Sequence, residues 1–230
     1  GGFNDNLLKN AILALVTYGL LTMWNLPLGY ALPIAASIFT LPFFLFSAIA
    51  GQVADKYDRA FILRRIKFFE IAIAITASVG FLTNNVYVLL VALFAIGLQS
   101  CFFTPTRNAV LPQWLPDEDL VAGNAVINGL LFVFILLGSV AGLGLMILTS
   151  GPELVSVLMV SFALIGWLIM CQSPNAPPPE PNMKIDFNIA TATRRILRSV
   201  WRDKPVIRPL LGTMWFWGLS ALVMTLMPKY

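Results

Sequence analysis

The chain has 230 residues, of which 58% are hydrophobic and only 11% are charged, and its formal net charge is +4. A water-soluble domain carries about 25% charged residues, so this composition excludes a soluble globular protein and gives no reason to expect nucleic-acid binding. Histidine is absent and only two cysteines occur, which leaves no metal-ligand pattern, no disulfide framework and no histidine base. We therefore expect no cofactor, no metal and no enzyme active site within these residues.

Seven apolar segments come close to the roughly 20 residues that a membrane-spanning helix needs. In chain order they lie at residues 6–23, 31–53, 67–82, 86–103, 121–148, 154–171 and 206–227. The expected fold class is an all-α integral membrane protein: a six-span half at residues 1–172, a cytoplasmic linker at 173–205 and a seventh span at 206–230. This order is typical of the first half of a duplicated architecture, so we expect the sequence to be part of a longer protein.

The basic residues orient the chain. Of the fifteen Lys and Arg residues, five lie at 56–67, one is Arg107 and six lie at 184–204, whereas the links at 24–30, 83–85 and 149–153 carry none. Basic residues concentrate in cytoplasmic loops. The alternation therefore predicts a multi-pass protein of the inner (cell) membrane with a cytoplasmic N-terminus.

Polar residues interrupt the first and fourth spans. Asp5 and Lys9 are four residues apart, so they share a helix face and are able to form an ion pair, and Asn6 lies one step round. Ionisable residues in a span usually face a cavity, which favours a site for a zwitterionic group; the alternative is that both residues only anchor the helix at the membrane edge. On the fourth span, Gln99 is polar, and Arg107 either holds a phosphate or closes a cytoplasmic gate.

Two further spacings predict contacts between or along helices. Lys67 and Glu70 are three residues apart, which favours a local ion pair over the alternative of a proton-coupling Glu70. In the fifth span, Gly138 and Gly142 form a small-xxx-small pattern. Such a pattern allows another helix to approach closely.

The region after the sixth span changes character. Five prolines fall within residues 173–182, which predicts an extended, semi-rigid linker. Residues 189–202 then place apolar side chains on one helical side and arginines on the other: Ile189, Ile196, Leu197, Val200 and Trp201 against Arg194, Arg195, Arg198 and Arg202. This pattern predicts an amphipathic helix on an anionic cytoplasmic leaflet; the alternative is a solvated connector.

The loop between the second and third spans carries a recognisable motif. It reads Gly-Gln-Val-Ala-Asp-Lys-Tyr-Asp-Arg at residues 51–59 and resembles the loop 2–3 signature of the major facilitator superfamily. Gly51, Asp55, Lys56 and Arg59 match, whereas Asp58 stands where the family usually has glycine. The resemblance implies that the six-span half is the N-terminal bundle of a major facilitator fold, and that these four residues form a gating motif that contacts the second half. From the residues alone, we expect Gly51 to allow close helix approach and Asp55 to pair with Arg59 or a helix N-terminus.

Three further blocks, in this order, resemble the bacterial lysophospholipid transporter branch of the superfamily. They are Phe-Asn-Asp-Asn-Leu-Leu-Lys-Asn at residues 3–10, Phe-Phe-Thr-Pro-Thr-Arg-Asn-Ala-Val-Leu-Pro-Gln at 102–113 and Trp-Phe-Trp at 215–217. The resemblance implies transfer of lysophospholipid to the inner leaflet for reacylation. The residues expected to bind substrate are Asp5, Asn6, Lys9, Gln99, Arg107, Trp215 and Trp217.

The expected function is thus secondary-type transport of a lysophospholipid by alternating access, with lysophosphatidylethanolamine as the expected substrate and membrane lipid as the surrounding partner. Two alternatives stay open. One is a major facilitator exporter of a small soluble substrate, although the fifth span lacks the Gly-Pro motif of drug–proton antiporters. The other is the membrane domain of a bifunctional protein, because some members of the branch are fused to a 2-acylglycerophosphoethanolamine acyltransferase. A fused or associated acyltransferase is therefore an expected partner.

Overall fold

The computed structural model describes the backbone of residues 1–17 and 28–226, and their side chains except at 28–32, 199, 217–218 and 220–226. The regular elements of this described part are helices: α1 Gly2–Thr17, α2 Leu28–Lys56, α3 Arg59–Leu82, α4 Val86–Trp114, a short 3-10 turn Asp117–Asp119, α5 Leu120–Leu145, α6 Gly151–Cys171, α7 Ile189–Arg202 and α8 Lys204–Leu226. The chain forms two compact units, Gly1–Ile185 and Asp186–Tyr230. The predicted end of the first span, and residues 24–27 of the link that follows it, lie outside the described residues.

Within the described residues, four helical segments are long and apolar enough to cross a membrane. They are Pro33–Lys56 in α2, Val86–Trp114 (α4), Asp117–Leu145, which contains α5, and Gly151–Cys171 (α6). Helix α3 is 24 residues long but carries Lys67 and Glu70 within its predicted span, and α1 is described over 16 residues. The all-α membrane class is therefore confirmed, whereas the six-plus-one count of spans stays a prediction.

Helices α3 and α4 extend the furthest beyond their predicted apolar segments. Helix α3 begins at Arg59 rather than at 67, and α4 continues to Trp114 rather than ending at 103. The extensions pack together, because Ala60 and Leu63 of α3 form a small buried cluster with Val110 and Leu111 of α4. An amphipathic extension that buries its apolar side in this way is stable beyond the apolar span. We call the end of the first unit that bears these extensions and residues 51–59 its motif end.

The first unit is built from helix pairs. Helix α1 packs along α5, α2 along α4, and α3 against both α4 and α6. Its core is apolar and centred on α1; the largest fully buried apolar side chains include Leu7, Leu8, Ile12, Leu15, Phe81, Leu89, Leu93, Ile96 and Met159. At the end opposite the motif, α3 and α4 are joined by only three residues. The side chain of Asn85 there accepts hydrogen bonds from the first amides of α4.

Glycines set the distance between α1 and α5. A β-carbon at Gly138 would collide with the carbonyl oxygen of Phe3, and one at Gly142 would lie 2.6 Å from the carbonyl oxygen of Leu7. The close contact that the small-xxx-small spacing predicts is therefore present, and it is made with the helix that carries Asp5.

Replacing Gly138 with valine should destabilise the protein by at least the 1–3 kcal/mol that is typical of overpacking, because the group that would have to move is backbone. The matched control is Gly129→Val on the same helix, since no described atom lies within 4 Å of a β-carbon there. The measurement is the unfolding temperature of the purified full-length protein in detergent. Equal unfolding temperatures for the two variants would contradict the packing of α5 on α1.

Candidate functional site: a buried polar cluster and a strapped loop motif

A cluster of polar side chains is buried between α1, α3 and α4. It consists of Asn4, Asp5, Lys67, Glu70, Gln99 and Ser100, and we call it the polar cluster. Except for Asp5, which is half-buried, each of these residues is at most 6% exposed. Polar and charged groups removed from water must be paired to be tolerated. The way in which they are paired therefore shows what the cluster is able to do.

Glu70 is the centre of the cluster. Its Oε2 accepts hydrogen bonds from the Lys67 ammonium at 2.7 Å and from Nε2 of Gln99 at 3.2 Å. Its Oε1 accepts a hydrogen bond from Nδ2 of Asn4 at 3.0 Å and lies 3.1 Å from the amino nitrogen of Gly1. The predicted local ion pair of Lys67 and Glu70 is thus confirmed. With both oxygens engaged, Glu70 serves as a structural hub that joins three helices.

Asp5 is less completely paired. The Ser100 hydroxyl donates a hydrogen bond to its Oδ2 at 2.7 Å, and the same hydroxyl lies 3.2 Å from Oε1 of Gln99. The other carboxylate oxygen of Asp5, Oδ1, is buried and has no hydrogen-bond partner in the described part of the chain. A buried acceptor without a donor is costly. Oδ1 of Asp5 therefore has unused capacity for a donor or a cation.

Lys9 lies one helical turn beyond Asp5 but does not form the expected ion pair with it. No carboxylate of the described residues lies within ion-pair distance of Lys9, and its ammonium sits 4.5 Å from the centre of the Phe39 ring on α2. The pairing fails because each charge has another neighbour: Asp5 bonds to α4 and Lys9 rests on an aromatic face. Both charges therefore lie on one side of α1, and they are not paired with each other.

The other predicted binding residues are distributed more widely. Gln99 belongs to the polar cluster, whereas the Asn6 amide donates to the carbonyl oxygen of Gly2 on its own helix. The Arg107 guanidinium bonds to the Asn108 side chain, about two turns from Ser100. Trp215 is exposed on α8 in the second unit, and the Trp217 side chain lies outside the described residues. Asn4 was not predicted as a site residue, because its partners are 66 and 155 residues away.

Arg59 connects the loop 2–3 motif to helix α4. Its guanidinium bonds to Oδ1 of Asp55 at 3.2 Å, to the carbonyl oxygen of Ala54 at 3.1 Å and, across to α4, to the carbonyl oxygen of Ala109 at 3.0 Å. The expected pairing of Asp55 with Arg59 is therefore present. The close approach expected at Gly51 is not made within the described residues, since no described atom lies within 4 Å of a β-carbon there. The Lys56 ammonium lies 5.7 Å from the centre of the Tyr57 ring.

Asp58 has two structural roles that glycine does not supply. Its Oδ1 accepts a hydrogen bond from the amide of Phe61 and thereby caps α3, while its Oδ2 accepts one from the amide of Ala176 at 3.1 Å. Side-chain caps of this kind stabilise a helix by about 1 kcal/mol. The departure from the family pattern thus creates a bond between the loop motif and the proline-rich segment.

The proline-rich segment, residues 173–182, lies on the motif end, and we call it the strap. Its Ala176 is fully buried, the carbonyl oxygen of Ala176 accepts from the amide of Arg59, and the amide of Glu180 donates to the carbonyl oxygen of Asp55. Two side chains hold it further: Arg64 bonds to Asn175, and Gln113 bonds to the carbonyl oxygen of Pro177. The segment contains no helix or strand, with a bend at 179 and a turn at 181–182, and residues 175–180 are docked on the motif end. That it is extended and semi-rigid stays a prediction.

Replacing Asp58 with glycine, the usual family residue, should loosen the strap. The change removes a cap worth about 1 kcal/mol and a hydrogen bond to a charged group worth about 1.5–3 kcal/mol. We expect the amide of Ala176 to exchange its hydrogen at least about tenfold faster in the full-length protein. Asp117→Gly is the control, because Asp117 is an exposed carboxylate in the short turn before α5. Unchanged exchange at Ala176 would show that Asp58 does not hold the strap.

Buried charges shared among apolar helices are typical of polytopic membrane proteins that handle a solute inside the bilayer. The sequence profile of the Major Facilitator Superfamily matches residues 10–230, so the chain belongs to the major facilitator superfamily and is a multi-pass membrane protein of a transporter family. No solved structure matches the chain.

Curated relatives show which members of the superfamily the chain is similar to. The chain is 25% identical over 221 residues to the lysophospholipid transporter LplT of Enterobacter sp. (strain 638) and 27% identical over 229 residues to that of Serratia proteamaculans (strain 568). It is 26% identical over 225 residues to LplT of Escherichia coli O1:K1 / APEC. Each alignment covers 95% of this chain and 52% of the relative. The chain therefore spans about half the length of the curated relatives it matches.

Proposed function

We propose that the chain is the N-terminal part of an alternating-access transporter that moves a lysophospholipid across or between leaflets of the bacterial inner membrane. Lysophosphatidylethanolamine is the proposed substrate. The observation that carries the proposal is the pair of separately available charges, Asp5 and Lys9, on one side of α1. The likeness to proteins named lysophospholipid transporters supports it.

The two charges fit a zwitterionic headgroup. Phosphoethanolamine carries a cationic ammonium and an anionic phosphate, so a complementary site needs an anion and a cation a short distance apart. Oδ1 of Asp5 has no hydrogen-bond donor and Lys9 has no carboxylate partner among the described residues. Four residues along a helix correspond to about 6 Å. In the proposed complex, Asp5 binds the ammonium group and Lys9 binds the phosphate through charge-assisted hydrogen bonds.

The remaining predicted residues have supporting roles in this proposal. Gln99 holds the polar cluster in place behind Asp5, and Asn6 adds polarity to the same helix. Arg107 offers a planar guanidinium for the phosphate along the path toward the cytoplasmic side. Trp215 and Trp217 are proposed to contact the single acyl chain on the family resemblance alone.

The motif end supplies the proposed gate. Arg59 ties Asp55 to α4, and the strap rests on both. Movement of α2 and α3 relative to α4 would have to break these bonds, so the motif and strap together hold one state of the transport cycle. Asp55 and Arg59 bond to each other, so Gly51 and Lys56 are the motif residues that we propose to contact the second half of the protein.

The proposed orientation places the motif end in the cytoplasm. In a background without Cys101 and Cys171, Tyr57→Cys at the motif end should resist a membrane-impermeant thiol reagent added to intact cells. Thr83→Cys at the opposite end should react with it. Both native residues are exposed, so permeabilised cells provide the control in which both variants react. Labelling of Tyr57→Cys in intact cells would overturn the orientation.

Two alternatives remain as second candidates, and different observations separate them. A bifunctional protein is distinguished by a fused or associated acyltransferase with its own catalytic residues, which would add to the transport function.

A soluble-substrate exporter is distinguished by the ligand that the protein binds. In nanodiscs, lysophosphatidylethanolamine should raise the unfolding temperature of the full-length protein, because a ligand of the folded state stabilises it by mass action. Lysophosphatidylglycerol, which lacks the ammonium, should do so less. Stabilisation by a soluble cation alone would favour the exporter.

A further inference from the structure

Helix α7 presents a face of four arginines. Arg194, Arg195, Arg198 and Arg202 are all exposed, and with Thr191 they line a groove of about 560 Å³ along the helix. Only Arg195 has a carboxylate partner in the described part of the chain, Oδ2 of Asp186 at 2.9 Å. The face therefore offers several guanidinium groups in a row, the geometry that binds phosphate groups.

The opposite side of α7 is apolar and incompletely covered. Leu197 is 51% exposed and Trp201 is 66% exposed, and Ile196 is also on this side. Exposed leucine and tryptophan beside arginines do not suit a helix that is surrounded by water. Tryptophan is enriched where protein meets the membrane interface, since its ring is apolar and its N–H stays hydrated.

Local hydrogen bonds stabilise the first turn of α7. Asn188 caps its first turn by accepting hydrogen bonds from the amides of Ala190 and Thr191. Asp186 reinforces this turn by accepting from the Thr191 hydroxyl at 3.0 Å. A preformed amphipathic helix does not have to be ordered when it binds a surface, and this saving strengthens its binding.

The chain also joins α7 directly to α8. Only Asp203 separates α7 from α8, and its carbonyl oxygen accepts from the amides of Val206 and Ile207 in the first turn of α8. Because α8 carries the expected seventh span, α7 is tethered within one residue of a helix that enters the bilayer. Tethering of this kind raises the effective concentration of the surface that α7 meets.

We propose that α7 binds the cytoplasmic surface of the membrane, with its arginines on the phosphates of anionic phospholipids and with Leu197 and Trp201 among the acyl chains. The partner is the anionic lipid surface itself and not the transported lipid. The inference therefore does not rest on the proposed substrate, and one can fail without the other.

The test uses the full-length protein without Cys101 and Cys171, with Leu197→Cys carrying an environment-sensitive fluorophore. The protein is placed in nanodiscs of phosphatidylcholine, with or without phosphatidylglycerol. We expect blue-shifted emission and protection from an aqueous quencher when phosphatidylglycerol is present, and reversal of both at high salt. Arg194→Gln/Arg198→Gln should reduce the ratio of bound to unbound α7 by about twenty-five-fold, since each basic residue near an anionic surface contributes roughly fivefold.

The charge-matched control is Lys184→Gln/Lys204→Gln, which removes the same number of charges outside α7 and should have a smaller effect. Equal effects of the two double substitutions would overturn the arginine face as the binding element. Emission that is the same with and without phosphatidylglycerol would also contradict the proposal. It would point instead to an acidic protein segment as the partner of this face.

Discussion

Replacing Lys67 with methionine should lower the free energy of unfolding by about 3–5 kcal/mol, the usual result of removing one partner of a buried ion pair. Glu70 is 1% exposed and would lose the ammonium that lies 2.7 Å from it. The measurement is the unfolding free energy of the full-length protein in mixed micelles. The double substitution Lys67→Met/Glu70→Gln should recover most of the loss, because it removes the uncompensated charge.

Lys184→Met is the control for this experiment. It makes the same substitution, but Lys184 is exposed and has no carboxylate within ion-pair distance among the described residues. A loss that is no larger for Lys67→Met than for Lys184→Met would contradict the structural role of the pair. Full stability of Lys67→Met with an altered pH dependence of transport would favour the alternative interpretation, in which Glu70 carries a proton.

Replacing Asp5 with asparagine should reduce transfer of lysophosphatidylethanolamine by an order of magnitude or more, because an interaction of about 1.4 kcal/mol with the substrate corresponds to a factor of ten. Asparagine keeps the size of the side chain and an oxygen for the Ser100 hydroxyl, but it removes the charge that would bind the ammonium. The initial rate of transfer is measured in proteoliposomes with equal amounts of folded protein. Lysophosphatidylglycerol, without an ammonium, should be affected less.

Ser100→Ala distinguishes the effect of the Asp5 charge on the transfer rate from the effect of the position of its side chain. It removes the hydrogen bond at 2.7 Å and leaves the carboxylate in position on α1, so its effect on the rate should be smaller than that of Asp5→Asn. A near-normal rate for Asp5→Asn would exclude Asp5 from headgroup binding. A loss that is the same for both lysolipids would assign it a structural role only.

Local patterns predicted the parts of the structure that depend on neighbours in sequence. The Lys67–Glu70 pair and the Asp55–Arg59 pair are three and four residues apart, so helical geometry alone brings their side chains together. The spacing of Gly138 and Gly142 predicted a close helix contact, although it did not indicate that α1 is the partner. The short link between α3 and α4 follows from two apolar runs separated by three polar residues.

The parts that were not predicted depend on residues far apart in sequence. Asn4 meets Glu70 and the carbonyl oxygen of Met159 only after the three helices α1, α3 and α6 have packed. The same packing gives Asp5 a partner in Ser100, which is why the expected pairing with Lys9 does not form. The strap is the clearest case, because proline content predicts an extended segment but does not predict the surface that its amides and carbonyls meet.

Reconstitution tests most directly whether the complete protein moves lysophospholipid. The full-length protein is placed in liposomes that contain labelled lysophosphatidylethanolamine, and the label accessible in the outer leaflet is followed by extraction with albumin. We predict protein-dependent movement that unlabelled lysophosphatidylethanolamine inhibits and diacyl phosphatidylethanolamine does not. Absence of protein-dependent movement, or transport of a soluble cation that lysolipid does not inhibit, would contradict the account.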